Sequence, residues 1–193
     1  MNEHLAMLGR FVRSPRTVGA VTPSSRALIL EMLEGLDLTG DASIVELGPG
    51  TGVVTREIAA RLGHDARCLA IELDAGFARA LAGRLRGIDV VCGSAAELPN
   101  IAREHGYSRI DHIVSGLPFA SLPAAVTAQV LDGIAEVLPS GGTFTTFQYV
   151  HGFPMPLATT FRRELSARLG TGPERRLVMR NLPPAYVLSW SRG

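Results

Sequence analysis

The sequence predicts an α/β domain: a seven-stranded, mostly parallel sheet with helices on both faces and an antiparallel last strand. Three observations carry this. Short apolar runs alternate with helical stretches five times between residues 43 and 169. Each strand-to-helix step implies a crossover, and repeated crossovers build a parallel sheet covered on both sides. A glycine-rich turn joins the first of these strands to its helix, and two strand-like runs then follow one another across a short connection, as a hairpin does.

Taken in order, "EHLAMLGRFVR" reads as an amphipathic helix. Leu5, Met7, Leu8, Phe11 and Val12 fall on one side and Arg10 and Arg13 on the other, with Pro15 ending it. "TPSSRALILEMLEGL" opens a second helix, capped by Thr22 or Ser24 and broken at Gly35. The first strand is "SIVEL" (43–47) and its helix "TGVVTREIAARL" (51–62). "CLAIEL" (68–73) is followed by "AGFARALAGRL" (75–85), and "IDVVC" (88–92) by "AAELPNIAREHG". "IDHIVSG" (110–116) precedes the helix around "AAVTAQVLDGIAEVL", and "GTFTTFQYV" (142–150) precedes "ATTFRRELSARLG". "ERRLVMRN" and "AYVLSWS" complete the sheet, with Trp190 expected in the core. The expected division is a cap over residues 1–35 and a domain over 36–193, together one structural unit of ordinary size.

At 46% hydrophobic and 19% charged, the chain is globular in composition. No apolar run is long enough to span a bilayer, and no secretory signal is visible, so the expected location is cytoplasmic. Cys68 and Cys92 lack metal-ligand spacing and are expected to be buried thiols. All 19 basic residues are arginine. They are unevenly placed: residues 1–26 carry net +3, residues 27–161 net −7 and residues 162–193 net +5. Two basic ends around an acidic body form one basic face if the fold brings them together, and such a face attracts phosphate-bearing partners.

"VELGPGTG" closes the first strand and opens a helix. Gly48, Gly50 and Gly52 let the backbone turn sharply and approach a ligand closely. No Gly-Lys-Ser/Thr follows, so this is not a nucleotide phosphate loop, and the third glycine comes too early for a dinucleotide fingerprint. Glu-x-Gly-x-Gly-x-Gly resembles the first motif of S-adenosylmethionine-dependent methyltransferases, whose Rossmann-like fold ends in an antiparallel strand. The resemblance implies a cofactor site at Thr22, Glu46, Gly48, Gly50, Gly52, Glu72, Leu73, Ser94, Ala95, Ser115, Gly116 and Leu117. Glu72 would accept the ribose hydroxyls, and "GSAAEL" would lie against adenine.

The fourth-strand motif concerns the acceptor. "SGLPF" carries Ser115 where adenine-directed amino methyltransferases have Asn or Asp, so the polar group that would hold a flat amine is missing. "VGAVTPSSRAL", "SGLPFASLP" and "NLPPAYV" together resemble the bacterial phospholipid N-methyltransferases, over nearly the whole chain from Arg10 to Trp190. That family transfers methyl groups to phosphatidylethanolamine, toward phosphatidylcholine, at the inner face of the cytoplasmic membrane. The resemblance implies that Phe11 enters the membrane while Arg10, Arg13 and Arg16 pair with anionic lipid phosphates. No metal and no nucleic acid are expected. A ribosomal RNA adenine methyltransferase and a small-molecule N-methyltransferase are the alternatives.

An amine must be neutral to attack a sulfonium methyl, so a group must receive its proton. Tyr149 and His151, two residues apart in extended chain, face the same way. Tyr149 is expected to orient the amine, and His151 to accept the proton or contact the phosphate. Phe119 and Tyr149 are expected to offer π faces to a methylated headgroup. "GFPMPL" reads as an irregular lid, and His4, His64, His105 and His112 as structural or solvated.

Overall fold

Side chains alternate across a strand, and in the first strand that alternation divides the core in two. The computed structural model describes residues 24–193. In Ser43–Leu47 (β1), Ile44 joins one buried cluster, while Val45 and Leu47 join the other. The first cluster lies beneath Arg26–Met32 (α1), Val53–Arg61 (α2) and Ala75–Ala82 (α3). The second lies beneath Leu98–Glu104 (α4), Ala124–Val137 (α5) and Pro156–Leu169 (α6). The remaining strands are Arg67–Glu72 (β2), Asp89–Cys92 (β3), His112–Ser115 (β4), Thr143–Tyr149 (β5), Glu174–Val178 (β6) and Ala185–Ser191 (β7).

The strands lie in the order β3-β2-β1-β4-β5-β7-β6. β7 pairs antiparallel with both neighbours, and the other strands all run one way. All the crossover helices therefore leave from one end of the sheet. The order reverses at β1, between β2 and β4, and ligands of open α/β sheets bind outside the carboxyl ends of strands at such a point.

The second cluster is the more aromatic. Phe119 stacks on Phe161 with centroids 4.2 Å apart, and Phe144 and Phe161 each approach Trp190 to 5.9 Å. Trp190 is fully buried, as its sequence position suggested, and its Nε1 donates to Ser166 Oγ at 2.9 Å. Each such ring pair adds about 1 kcal/mol beyond its area burial.

Two details differ from the sequence reading. α1 is capped by Ser25, not by Ser24 or Thr22. The chain is extended at Ser25, and its Oγ accepts from Leu28 N at 3.2 Å. Cys68 is buried, but Cys92 is exposed, because it ends β3 at the edge of the sheet. The second helix packs onto the rest of the domain: Leu28 and Met32 are fully buried, Arg176 Nε meets Glu31 Oε1 at 2.8 Å, and Asn181 Oδ1 accepts from Ser25 N at 2.9 Å. The last contact seats the start of α1 beside the β6–β7 hairpin.

Candidate active site

The glycine loop is shaped by contacts inside the protein. Gly48 and Gly52 have φ of 71° and 77°, a region side chains avoid. A Cβ on Gly48 would stand 2.7 Å from Leu117 Cδ2, and one on Gly52 would stand 2.2 Å from Leu81 Cδ1. These two glycines press the loop onto β4's end and onto α3. Gly50 differs: a Cβ there meets no atom within 4 Å, so its surface is the one open to a ligand. Gly116 crowds the loop from the other side, because its Cβ would lie 3.0 Å from Gly48 O.

Glu72 ends β2 almost wholly buried. Its carboxylate accepts from Gly50 N at 2.9 Å and from Asp74 N at 2.8 Å. A carboxylate has about four lone-pair sites, so two hydroxyls can still be accepted. Leu73 follows, half-buried. Asp74 then caps α3, its Oδ1 accepting from Gly76 N at 2.7 Å and Phe77 N at 3.1 Å.

Glu46 lies on the same face of the sheet as Glu72, one strand across. It is buried, and both its Oε2 and the Thr55 hydroxyl lack a hydrogen-bond partner among the described residues. Burial pushes the Glu46 carboxyl up to about 7, and the Glu72 charge adds to that. The Thr55 hydroxyl acts in the opposite direction, near enough to lower the value but outside ordinary hydrogen-bond geometry. An orphaned carboxylate beside an open loop needs a donor or a cation to complete it.

Two buried serines stand at or just beyond the ends of the neighbouring strands. Ser94 caps a 3-10 turn over Ala95–Glu97, its Oγ accepting from Ala96 N at 3.2 Å. Ser115 ends β4, fully buried, with Oγ accepting from Leu117 N at 3.2 Å. Beyond β5, the Tyr149 and His151 rings are nearly parallel, 5.7 Å apart. Tyr149 is half-buried, and burial raises its phenol pKa, so it stays protonated; His151 is exposed. Arg162 Nη1 donates to Gln148 Oε1 at 2.6 Å and to Phe153 O at 2.9 Å, tying down the loop that carries His151.

Phe119 is corrected. It is buried, with one face stacked on Phe161 and an edge on Phe144, so it offers no π face to a ligand. Thr22, Arg10, Phe11, Arg13 and Arg16 lie outside the described residues. Thr55, Gln148 and Arg162 were missed. Gln148 had a signal, being polar at an inward position of β5 alongside Phe144 and Thr146. Thr55 had a weaker one, a hydroxyl on the buried stripe of α2. Arg162 had none.

A sheet in this order, with a glycine loop at the switch point and an acid ending the next strand, defines a class I S-adenosylmethionine-dependent methyltransferase. Residues 44–142 match the family described as "Methyltransferase domain", and the chain belongs to it. It is 33% identical over 147 residues to an ornithine lipid N-methyltransferase of Singulisphaera acidiphila, covering 75% of this chain and 77% of that one. It is also 35% identical over 97 residues to ribosomal RNA small subunit methyltransferase A of Deinococcus radiodurans, covering 46% of this chain and 32% of that one. Among solved structures it is similar to Burkholderia thailandensis 1,6-didemethyltoxoflavin-N1-methyltransferase, which has S-adenosylhomocysteine bound. That match has TM-score 0.68 and 19% identity over 98% of this chain and 89% of that one. Aeropyrum pernix fibrillarin with S-adenosyl-L-methionine gives TM-score 0.64 and 18% identity, over 84% of this chain and 72% of that one. The cofactor is S-adenosylmethionine and the product S-adenosylhomocysteine, and the site fits them: open space over Gly50, the Glu72 carboxylate and the orphaned Glu46 oxygen. Among the described residues no cluster of side chains could hold a metal ion.

Proposed function

We propose that this enzyme transfers methyl groups to the amine of a lipid headgroup at a membrane surface, phosphatidylethanolamine and its partly methylated forms in particular. The observation that carries the reading is the likeness to the ornithine lipid enzyme across three-quarters of both chains. The surface supports it. The exposed large hydrophobic residues among the described ones are Phe77, Val150, Met155, Leu157, Leu177, Met179 and Leu182. All seven sit at the carboxyl end of the sheet, in strand ends, in the hairpin, or in the first turn of a helix leaving that end. Apolar side chains exposed along the end of the sheet that carries the site suit a surface that meets an apolar partner. Among the described residues no helix is long and apolar enough to cross a membrane.

Within the site, the cofactor brings an activated methyl group and the protein supplies position and electrostatics. In this proposal Gly48, Gly50 and Gly52 let the loop approach the cofactor, while Glu72 receives the ribose. Glu46 faces the cofactor's cationic part, and Ser94 and Ala95 border its adenine. Ser115, Gly116 and Leu117 form the floor where methyl and amine meet. The Ser115 hydroxyl accepts from the Leu117 amide; serine offers no amide or carboxylate to grip the flat amine of a nucleobase, which weighs against that acceptor. Tyr149, a neutral phenol, orients the amine, and His151 stacked on it receives the proton or contacts the headgroup phosphate. The N-terminal arginines would bind anionic lipid.

The test is transfer of labelled methyl to vesicles containing phosphatidylethanolamine, to vesicles containing ornithine lipid, and to ribosomal RNA. Label in phosphatidylethanolamine is the expected result. Label in ornithine lipid alone would keep the lipid class and overturn the headgroup, and label in RNA alone would overturn the lipid reading.

A further inference from the structure

A second cleft, of about 550 Å³, lies between α6 and β6. Thr159, Arg162, Arg163 and Ser166 line it from α6, spaced three and four apart and so on one helix face. Arg175 lines it from β6, and Phe153 from the loop after β5. No carboxylate lines it. From residue 150 onward the acids are Glu164 and Glu174. Glu164 lies 3.5 Å from Arg168, and Glu174, next to Arg175 in a strand, points to the opposite face.

Three guanidiniums thus share one concave surface without a counter-charge among the described residues. Two of them, Arg162 and Arg175, are also held in place. Arg162 spends three of its five N–H groups on Gln148 Oε1, Phe153 O and Thr159 Oγ1. The Phe153 ring covers it at 3.7 Å and lies 5.4 Å from the Arg175 guanidinium, which also sits 4.9 Å over Tyr186. Arg163 has no partner among the described residues. Burial, with the Arg175 charge beside it, lowers the Arg162 pKa, as expected for crowded positive charge. The two fixed guanidiniums lose little freedom on gripping a planar or tetrahedral oxyanion, Arg163 is free to close on it, and the forked N–H groups of all three match phosphate oxygens.

We propose that this arginine cleft binds a phosphate oxyanion, separately from the cofactor site. The phosphate belongs either to a lipid headgroup or to a soluble phosphate ester. This does not rest on the aminolipid reading, because the cleft is defined by its own residues.

Trp190 makes the test direct. It is the chain's single tryptophan, and its indole N–H donates to Ser166 on the cleft wall. The full-length protein is titrated with inorganic phosphate, glycerol phosphate and phosphatidylglycerol vesicles, at ionic strength held constant with sodium chloride. Trp190 emission is read beside titration calorimetry. Saturable binding is expected, with Kd raised at least tenfold in Arg163→Gln/Arg175→Gln and cofactor affinity and thermal midpoint unchanged. Competition between glycerol phosphate and vesicles assigns the site to headgroups; saturation by soluble esters, with vesicle binding untouched by the substitutions, assigns it to a soluble ligand. The proposal is overturned if calorimetry and emission both show no saturable binding, if chloride alone reproduces the response, or if the double variant binds as the parent does.

Discussion

Glu46 is the residue whose environment departs furthest from that of an ordinary carboxyl at this site. Its folded value of about 7 lies above its usual 4.5. Below 4.5 both folded and unfolded chains hold the proton. Between 4.5 and 7 only the folded chain does, so stability falls as pH rises through that window, and above 7 it is flat. The difference amounts to about 3 kcal/mol. His112 works in the opposite sense, because burial lowers its value and its contribution is lost as pH falls. The clean measurement is therefore the urea midpoint of the parent relative to Glu46→Gln across pH 4.5 to 8; the parent should lose ground steadily and then level off. The loop glycines give a second contrast. Gly52→Ala drives a Cβ into Leu81 and should lower the thermal midpoint as well as cofactor affinity. Gly50→Ala meets no protein atom and costs about 1 kcal/mol of backbone strain, so it should lose cofactor affinity tenfold or more with a small change in melting. The sequence named both glycines but not this division of labour, because only the fold brings Leu81 and Leu117 against two of the three.

Among the elements, the loop after β5 is fastened by one arginine. Arg162→Met removes three hydrogen bonds and should lower kcat for methyl transfer severalfold while the cofactor Kd stays put; a lower kcat together with a raised Kd would point to general unfolding instead. Ser25→Ala tests the cap of α1 and should cost about 1 kcal/mol in urea unfolding. Strand positions were readable because alternation and glycine punctuation are local: β1 matches its sequence bounds and β2 is shifted by one residue. The cap and Cys92 were not. Choosing among Thr22, Ser24 and Ser25 depends on which hydroxyl meets the Leu28 amide, and the exposure of Cys92 depends on β3 lying at the edge, which no local pattern states.

For the whole molecule, the class of fold was legible from the alternation and the glycine loop, since each crossover constrains the next. The fate of Phe119 was not, because its partner Phe161 is 42 residues away and on another helix. The gathering of apolar residues at one end of the sheet is also a property of the whole, assembled from three separate stretches of chain. Met179→Glu with Leu182→Glu places two charges on the most exposed of them and should weaken flotation with anionic vesicles while leaving cofactor affinity unchanged. Undiminished flotation would remove the hairpin from the membrane-facing surface. The bond between Glu72 and Gly50 has a last consequence. It is internal to the protein, and in the proposed role of Glu72 it would set the cradle against the nucleoside rather than against the sulfur. Cofactor and spent cofactor share that nucleoside and differ only by a methyl group and a charge. The by-product therefore competes for the same seat, and the enzyme's speed becomes a gauge of how much of the cell's methyl currency is still unspent.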